Sequence, residues 1–206
     1  MLLEIHPVNP EPKKVKIVTE CLLDGGVIIY PTDTIYSIGC SLLKLKAIER
    51  VAKIKGVKTE KANFSIICHD LSHLSDYTRS VSTPVYKMMK KALPGPYTFI
   101  LNANNNVPRY FNSNKKEIGI RIPDNVICLE LVKSLEHPLI ATSIHDDDEV
   151  IEYTTDPSLI YERYEKSVDI VINGGYGNNV ASTVIDCTGE IPEVIREGAG
   201  EIENIL

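Results

Sequence analysis

Residues 25–36 read Gly-Gly-Val-Ile-Ile-Tyr-Pro-Thr-Asp-Thr-Ile-Tyr and carry three structural signals in succession. The glycine pair stands where a helix C-cap belongs, after a segment whose apolar residues recur at helical spacing: Val15, Val18 and Leu22. The β-branched run that starts at Val27 predicts a short buried strand, which ends at Pro31. We therefore expect a helix over residues 11–24, then a strand, then a loop that places Thr32 and its neighbours at the edge of a sheet.

Helical and strand patterns alternate along the first two thirds of the chain. Apolar periodicity and capping residues predict helices that start near Leu45, Thr83, Asp124 and Asp156, with Asp124 as an N-cap. Short apolar runs predict strands at 65–68, 97–101, 118–122, 139–143, 168–172, 182–186 and 193–196. The last strands lack intervening helices, so we expect a single α/β domain with a twisted mixed, largely parallel sheet and flanking helices.

The composition is that of an ordinary soluble globular protein. Hydrophobic residues make up 43% of the 206 residues and charged residues 24%, which excludes a disordered chain. The N-terminus lacks the basic start and long apolar stretch of a secretory signal, and no run approaches the roughly 20 apolar residues of a membrane span. We expect a cytoplasmic protein with no membrane partner.

The cysteines give no sign of a disulfide framework or a metal site. They are five in number, widely scattered and without the CxxC spacing of zinc ligands: Cys21, Cys40, Cys68, Cys128 and Cys187. Most of them stand in apolar segments, where a thiol packs as a small hydrophobe. We expect reduced thiols and no metal ligand from the protein itself.

The charge distribution is uneven. The formal net charge of −6 argues against a protein that coats DNA or RNA nonspecifically, because such binding needs a basic face that neutralises many phosphates. One segment is nevertheless basic: residues 44–61 contain seven lysines and arginines against two glutamates. A solvated helix face is the plainer interpretation of this segment, and a phosphate-binding surface is the alternative.

Hydroxyl and guanidinium groups recur at the ends of the predicted strands. They are Thr32 and Thr34 after one strand, Thr142 and Ser143 after another, Ser182 and Thr183 at the start of a third, and Arg121 and Arg196 in two more. Arginine binds carboxylates and phosphates bidentately, and hydroxyl groups can bind the remaining oxygens. The joint placement predicts an anion-binding site, although each residue alone is compatible with a structural role.

Six segments, in this order, resemble the YrdC/YciO family. They are residues 25–40, Pro-Gly-Pro-Tyr-Thr-Phe-Ile-Leu (94–101), Gly-Ile-Arg-Ile-Pro (119–123), Ala-Thr-Ser (141–143), Ser-Thr-Val-Ile-Asp (182–186) and Ile-Arg-Glu-Gly (195–198). The stretches at 63–72 and 173–176 look most like the YciO branch. No GxGxxG or P-loop motif is present, so a nucleotide site would have to be built in another way.

The resemblance implies one YrdC-like domain over residues 6–206, with a large concave, positively charged cleft that also suits double-stranded RNA. Members of the YrdC branch are threonylcarbamoyl-AMP synthases, which combine L-threonine, bicarbonate and ATP for the threonylcarbamoyladenosine modification of tRNA. By the same resemblance, Mg²⁺ would enter with ATP, held mainly by phosphates and water. No protein nucleophile is implied, because the chemistry depends on positioning and charge stabilisation.

The resemblance also assigns residues to the two ends of the cleft. The L-threonine end would be lined by Thr32, Tyr36, Arg121 and Ser182, with Arg121 pairing the carboxylate. The ATP end would be lined by Lys55, Lys58, Thr142, Ser143, Thr183 and Arg196.

Two family motifs are altered, and both lie on the triphosphate side. The Lys-x-Arg phosphate motif becomes Lys55-Gly56-Val57, and Thr-Ser-Ala-Asn becomes Thr142-Ser143-Ile144-His145. A lysine such as Lys58 supplies a point charge where arginine supplies a planar fork, so the two are not equivalent. Three hypotheses stay open. The first is a synthase of reduced activity, and the second is a protein of translation or ribosome biogenesis that binds double-stranded RNA, tRNA or rRNA in the same cleft without catalysis. The third is a protein in which these Thr, Ser and Arg residues are only structural.

Overall fold

The computed structural model of the chain describes residues 1–59, 62, 64–107, 116–144 and 152–205. The strands are β1 (Leu2–Glu4), β2 (Val27–Tyr30), β3 (Ser37–Ser41), β4 (Ser65–Ile67), β5 (Tyr97–Asn102), β6 (Glu117–Arg121), β7 (Leu139–Ser143), β8 (Ile170–Asn173), β9 (Thr183–Asp186) and β10 (Glu193–Arg196). The helices are α1 (Pro12–Leu23), α2 (Leu45–Ile54), α3 (Thr83–Ala92), α4 (Val126–Leu135), α5 (Glu152–Thr155) and α6 (Pro157–Tyr164).

The strands form one ten-stranded sheet in the order β1-β8-β2-β3-β7-β4-β6-β5-β9-β10. Among the described strands, four neighbouring pairs are parallel and five are antiparallel. The predicted mixed sheet is confirmed, but the expected predominance of parallel pairs is wrong. The reason is β3 and β7, which each run antiparallel to both of their neighbours in the middle of the sheet.

Helices cover both faces of the sheet and give two hydrophobic clusters. One cluster joins α1 and α4 through buried residues such as Val18, Leu22 and Leu131. The other joins α2 and α3 through residues such as Ile48 and Met89. Alternate residues of β2 enter the two clusters, as the two faces of a pleated strand require, and all four are fully buried. This explains why β2 is an uninterrupted apolar run.

The start of α4 differs from the sequence-based expectation. Its N-cap is Asn125, whose side chain accepts a hydrogen bond from the Cys128 N–H over 3.1 Å. Asp124 lies one residue earlier and is exposed, so its predicted capping role is wrong. Its backbone N–H instead donates to Oδ2 of Asp33 over 3.1 Å, which joins the start of α4 to the loop after β2.

Two further observations concern the chain as a whole. In the part of the chain that the structure describes, no helix combines the length and apolar character needed to cross a bilayer. All five cysteines are free thiols, and four of them are buried.

Candidate functional site

The loop between β2 and β3, residues 31–36, is held by its own hydroxyl groups. Thr32 Oγ1 donates to the Ile35 carbonyl over 2.9 Å and accepts from the Thr34 N–H over 3.0 Å. The hydroxyl groups of Thr32 and Thr34 also lie 3.2 Å apart. Thr32 and Thr34 are both buried, so this local network fixes the loop without help from solvent.

Arg121, the last residue of β6, contacts this loop from 88 residues away in sequence. Its Nη2 donates to Asp33 Oδ1 over 2.9 Å and to Thr34 Oγ1 over 3.0 Å. The side chains of Arg121 and Asp33 are each only 9% exposed, so this is a buried ion pair. The Nε–H of Arg121 is buried and has no hydrogen-bond partner among the residues that the structure describes.

Asp33, like Thr98 and Asn178, is a residue of this site for which the sequence predicted no role. Asp33 lies between Thr32 and Thr34, and its proximity to Arg121 depends on tertiary structure. Burial raises the pKa of the Asp33 carboxyl, while the neighbouring Arg121 guanidinium opposes that rise. The only sequence signal for it is an acidic residue placed after a buried strand, in a loop otherwise rich in hydroxyl groups.

Tyr36 joins the loop to a second segment, which we call the strap and define as residues 174–178. The Tyr36 hydroxyl donates to the Gly175 carbonyl over 2.7 Å and accepts from the Gly174 N–H over 3.2 Å. Asn178 adds two bonds, from its Nδ2 to the Asp33 carbonyl over 3.1 Å and from its N–H to the Thr34 carbonyl over 3.2 Å. Gly175 has a φ of 95°, a conformation that glycine adopts without strain. Four hydrogen bonds therefore tie the strap to the loop.

Ser182 and Arg196 meet on the β9 side of the sheet. The Ser182 hydroxyl lies 2.8 Å from that of Thr98 on β5, and Arg196 Nη2 donates to the Ser182 carbonyl over 2.8 Å. Burial lowers the pKa of Arg196, and the positive charge of Arg121 adds to the effect. This side of the site thus holds two cations within electrostatic reach.

Thr183 is fully buried and its hydroxyl group is engaged by backbone. Its Oγ1 donates to the Gly200 carbonyl over 2.6 Å and accepts from the N–H groups of Gly198 and Gly200 over 2.9 and 3.1 Å. These contacts fix the segment that follows β10 against the start of β9. The predicted role of Thr183 beside a nucleotide stays a prediction.

Lys55 and Ser143 form the other end of the candidate site. Helix α2 ends in a Schellman-type C-cap, in which Gly56 has a φ of 69° and the Val57 N–H donates to the Ala52 carbonyl over 3.0 Å. This cap directs the Lys55 ammonium to the Ser143 carbonyl, 2.8 Å away. Burial lowers the pKa of Lys55.

The register of β3 against β7 connects the two ends of the site. Ser37 pairs with Ser143, Ile38 pairs with Thr142, and the Ile144 N–H donates to the Tyr36 carbonyl over 3.0 Å. Lys58 is exposed and makes no hydrogen bond or ion pair with any other described residue. His145, the acidic residues that follow it, and Lys61 lie outside the described residues.

Neither of two cavities elsewhere on the molecule contains a predicted site residue. One, of about 360 Å³, lies between α4 and the segment after β4; the other, of about 140 Å³, lies beside the start of α3. The large concave cleft implied by the resemblance stays a prediction. Within the described ranges, no group of three or more His, Cys, Asp or Glu side chains is arranged to hold a metal ion.

Comparison with known proteins places this site in a family context. The Sua5/YciO/YrdC family model, described as "Telomere recombination", matches residues 20–198. The uncharacterized protein YciO of Escherichia coli strain K12 is 40% identical over 204 residues, covering 98% of this chain and 97% of the relative. A threonylcarbamoyl-AMP synthase of Pyrococcus abyssi is 27% identical over 198 residues, covering 95% of this chain and 57% of the relative.

Solved structures agree with the sequence comparison. The crystal structure of E. coli YciO has a TM-score of 0.92 at 39% identity, covering 100% of this chain and 99% of that chain. The crystal structure of P. abyssi Sua5 complexed with L-threonine has a TM-score of 0.88 at 24% identity, covering 100% of this chain and 59% of that chain, and it shows the shared fold. The predicted resemblance is therefore confirmed: the chain belongs to the Sua5/YciO/YrdC family.

Proposed function

We propose that this protein is a threonylcarbamoyl-AMP synthase-like nucleotidyltransferase of the YciO type. It combines L-threonine, bicarbonate and ATP into threonylcarbamoyl-adenylate and pyrophosphate, for the threonylcarbamoyladenosine modification of tRNA. The observation that carries the proposal is the buried Nε–H of Arg121, which has no hydrogen-bond partner in the described part of the chain. A buried donor without a partner costs about 1–3 kcal/mol, so its retention is best explained by a ligand that accepts from it.

The carboxylate of L-threonine has the chemistry that Arg121 requires. Guanidinium groups bind carboxylates through charge-assisted hydrogen bonds, which are about twice as strong as neutral ones. Thr32 supports the loop that holds Arg121, while Ser182, directly before β9, and its partner Thr98 on the neighbouring strand β5 supply hydroxyl groups. An amino acid bound here would have its carboxylate fixed and its amine directed into the site.

The other cations suit the phosphates of ATP. The positive charges of Arg121 and Arg196 repel each other, and an anion bound between them would relieve that repulsion. Lys55 presents an ammonium group beside Ser143 and Thr142 at the end of β7. We propose Lys55, Ser143, Thr142 and Arg196 as the residues that contact the nucleotide phosphates, with Mg²⁺ carried by ATP itself.

The reaction needs alignment more than a protein nucleophile. The threonine amine attacks the carbon of bicarbonate and water leaves, which gives a carbamate. A carbamate oxygen then attacks the α-phosphorus of ATP, and the bond to pyrophosphate breaks on the opposite side. Holding both reactants in line and neutralising the developing charge supplies the catalysis, as in other phosphoryl and nucleotidyl transfers.

The altered phosphate motif predicts slow turnover. Val57, at the position of the motif's arginine, is 42% exposed and supplies no charge, and Lys58 makes no contact with the site among the described residues. A lysine cannot bind a phosphate bidentately, as an arginine does. We therefore propose a turnover below that of family members with the intact motif.

The direct test is product formation from labelled bicarbonate. Purified protein incubated with [¹⁴C]bicarbonate, L-threonine, ATP and Mg²⁺ is expected to yield labelled threonylcarbamoyl-adenylate and an equal amount of pyrophosphate. The Arg121→Ala and Lys55→Ala variants are expected to yield neither. Product at or below the level of these variants would contradict the enzymatic proposal.

A further inference from the structure

We infer that Asp33 is a positioning residue, which fixes the Arg121 guanidinium so that its Nε–H faces the carboxylate of the bound amino acid. This inference rests on the proposed function and deepens it. Asp33 does not touch the substrate in this arrangement. It acts through its ion pair with Arg121.

The Asp33 side chain is held in place by separate parts of the chain. Its Oδ1 accepts from Arg121 Nη2 on β6, and its Oδ2 accepts from the backbone N–H of Asp124 before α4. Its own carbonyl accepts from Nδ2 of Asn178 in the strap. Asp33 is thus held by Asp124 at its carboxylate and by Asn178 at its main-chain carbonyl, so its remaining carboxylate oxygen can serve as a rigid support for Arg121.

The contacts on Arg121 decide which of its donors remain for a ligand. Both hydrogens of Nη2 are used, one by Asp33 Oδ1 and one by Thr34 Oγ1. Neither Nε nor Nη1 makes a hydrogen bond with any described residue. Because the guanidinium group is planar, fixing Nη2 also fixes the directions of the other two nitrogens. The arginine is therefore oriented before the substrate arrives, which lowers the entropy cost of binding.

A rival interpretation predicts the opposite sign for the same mutation. Asp33 could occupy the place of the substrate carboxylate, in which case the substrate would have to displace it and removing its charge would tighten binding. The geometry argues against this interpretation. A stand-in for the substrate would engage the arginine fork with both oxygens, whereas Asp33 gives one oxygen to Arg121 and its other oxygen to Asp124.

The binding test compares Asp33→Asn with Asp124→Asn by isothermal titration calorimetry. Both variants remove one negative charge near Arg121, but Asp124 contacts Asp33 through its backbone and its own side chain is exposed. We expect Asp33→Asn to weaken L-threonine binding at least tenfold and ATP binding less than twofold, and Asp124→Asn to change each less than twofold. Unchanged or tighter L-threonine binding by Asp33→Asn would overturn the inference.

A second measurement separates this inference from the proposed function. The ¹⁵N relaxation of the Arg121 Nε–H signal is expected to report an ordered group in the unmodified protein and in Asp124→Asn, and a mobile group in Asp33→Asn. This readout requires no ligand, so it holds even if the protein binds no L-threonine and the proposed function fails. An Nε–H signal that stays equally ordered in Asp33→Asn overturns the positioning role.

A variant that keeps the charge of Asp33 provides a test in case Asp33→Asn does not fold. Thr34→Val removes the second acceptor of Nη2 but leaves the ion pair intact. We expect a smaller loss of L-threonine affinity, about threefold, and a partial increase in Nε–H mobility. If Asp33→Asn does not fold, a Thr34→Val protein with unchanged affinity and unchanged Nε–H order overturns the inference.

Discussion

Lys55 donates a hydrogen bond from its ammonium group to the main-chain carbonyl of Ser143 over 2.8 Å, across 88 residues of sequence. This bond connects the C-terminal end of α2 to the last residue of β7. The next residue, Ile144, donates its N–H to the Tyr36 carbonyl, so the lysine and the loop of residues 31–36 are two contacts apart. The proposed phosphate end and the proposed amino-acid end therefore belong to one connected network.

Replacement of Lys55 by alanine is expected to weaken ATP binding at least tenfold, because a partly buried cation is removed from the proposed phosphate contact. Lys53→Ala is the matched control, since Lys53 is also in a basic segment but is exposed in the last turn of α2. That variant should change the affinity less than twofold. Calorimetric titration with ATP and Mg²⁺ checks both values, and equal effects of the two variants would contradict a specific phosphate contact for Lys55.

Replacement of Tyr36 by phenylalanine is expected to destabilise the protein by about 1–3 kcal/mol, because the Gly175 carbonyl and the Gly174 N–H both lose a partner. Tyr176→Phe makes the same chemical change two residues from this contact, on a side chain that is 80% exposed. Its effect should stay within about 0.5 kcal/mol. Urea denaturation measures the free energy of unfolding of each variant. Equal stability of the two variants would show that the strap is not held by Tyr36.

The sequence predicted most of the helices and strands because their apolar periodicity is clear. The four-residue spacing of Ile127, Leu131 and Leu135 gave α4, and all three side chains are buried against α1. Strand β3 was missed because Ser37-Ile-Gly-Cys-Ser has small polar residues where a strand pattern expects apolar ones, yet all five residues are buried. Gly39 is required there, since a Cβ would lie 2.0 Å from the Ile140 carbonyl oxygen of β7.

Local patterns gave the residue types of the site but not their pairing. Hydroxyl groups and arginines at strand ends indicated an anion site, and the structure does bring Arg121 to Thr34 and Arg196 to Ser182. The Asp33–Arg121 ion pair was not predicted, because it depends on how β2 and β6 are placed in the sheet. The mixed direction of the strands was predicted, whereas the central antiparallel pairs of β3 required the tertiary structure.

Salt dependence is expected to separate the amino-acid site from an RNA-binding function. Raising the salt concentration from about 50 to about 200 mM should weaken L-threonine binding less than about threefold, whereas RNA held by 6–10 phosphate contacts would lose roughly 10³-fold or more. Arg121→Ala should abolish L-threonine binding, and a Lys53→Ala/Lys58→Ala protein should retain it. Fluorescence anisotropy with a labelled tRNA measures the RNA binding. Tight, salt-sensitive tRNA binding that this double variant loses would favour the RNA hypothesis.

The reactivity of the cysteine thiols is expected to differ between the core and the surface of the folded protein. Burial raises the pKa of Cys40, Cys68 and Cys128 to about 12 and that of Cys187 to about 11. Since the thiolate is the reactive form, a pKa of 12 leaves about one molecule in 10⁴ reactive at pH 8. Cys21 is half-buried, and burial raises its pKa as well.

An Ellman assay at pH 8 should therefore detect at most one rapidly reacting thiol in the folded protein, and all five in guanidinium chloride. Cys21→Ser should remove the rapid phase and leave the denatured protein with one thiol fewer. A thiol with a raised pKa stays protonated until the pH approaches that pKa. Raising the pH from 7 to 9 should therefore speed up the reaction of Cys21, while the four buried thiols should still react slowly. Two or more rapid thiols in the folded protein would contradict the packing of the cysteines in both hydrophobic clusters.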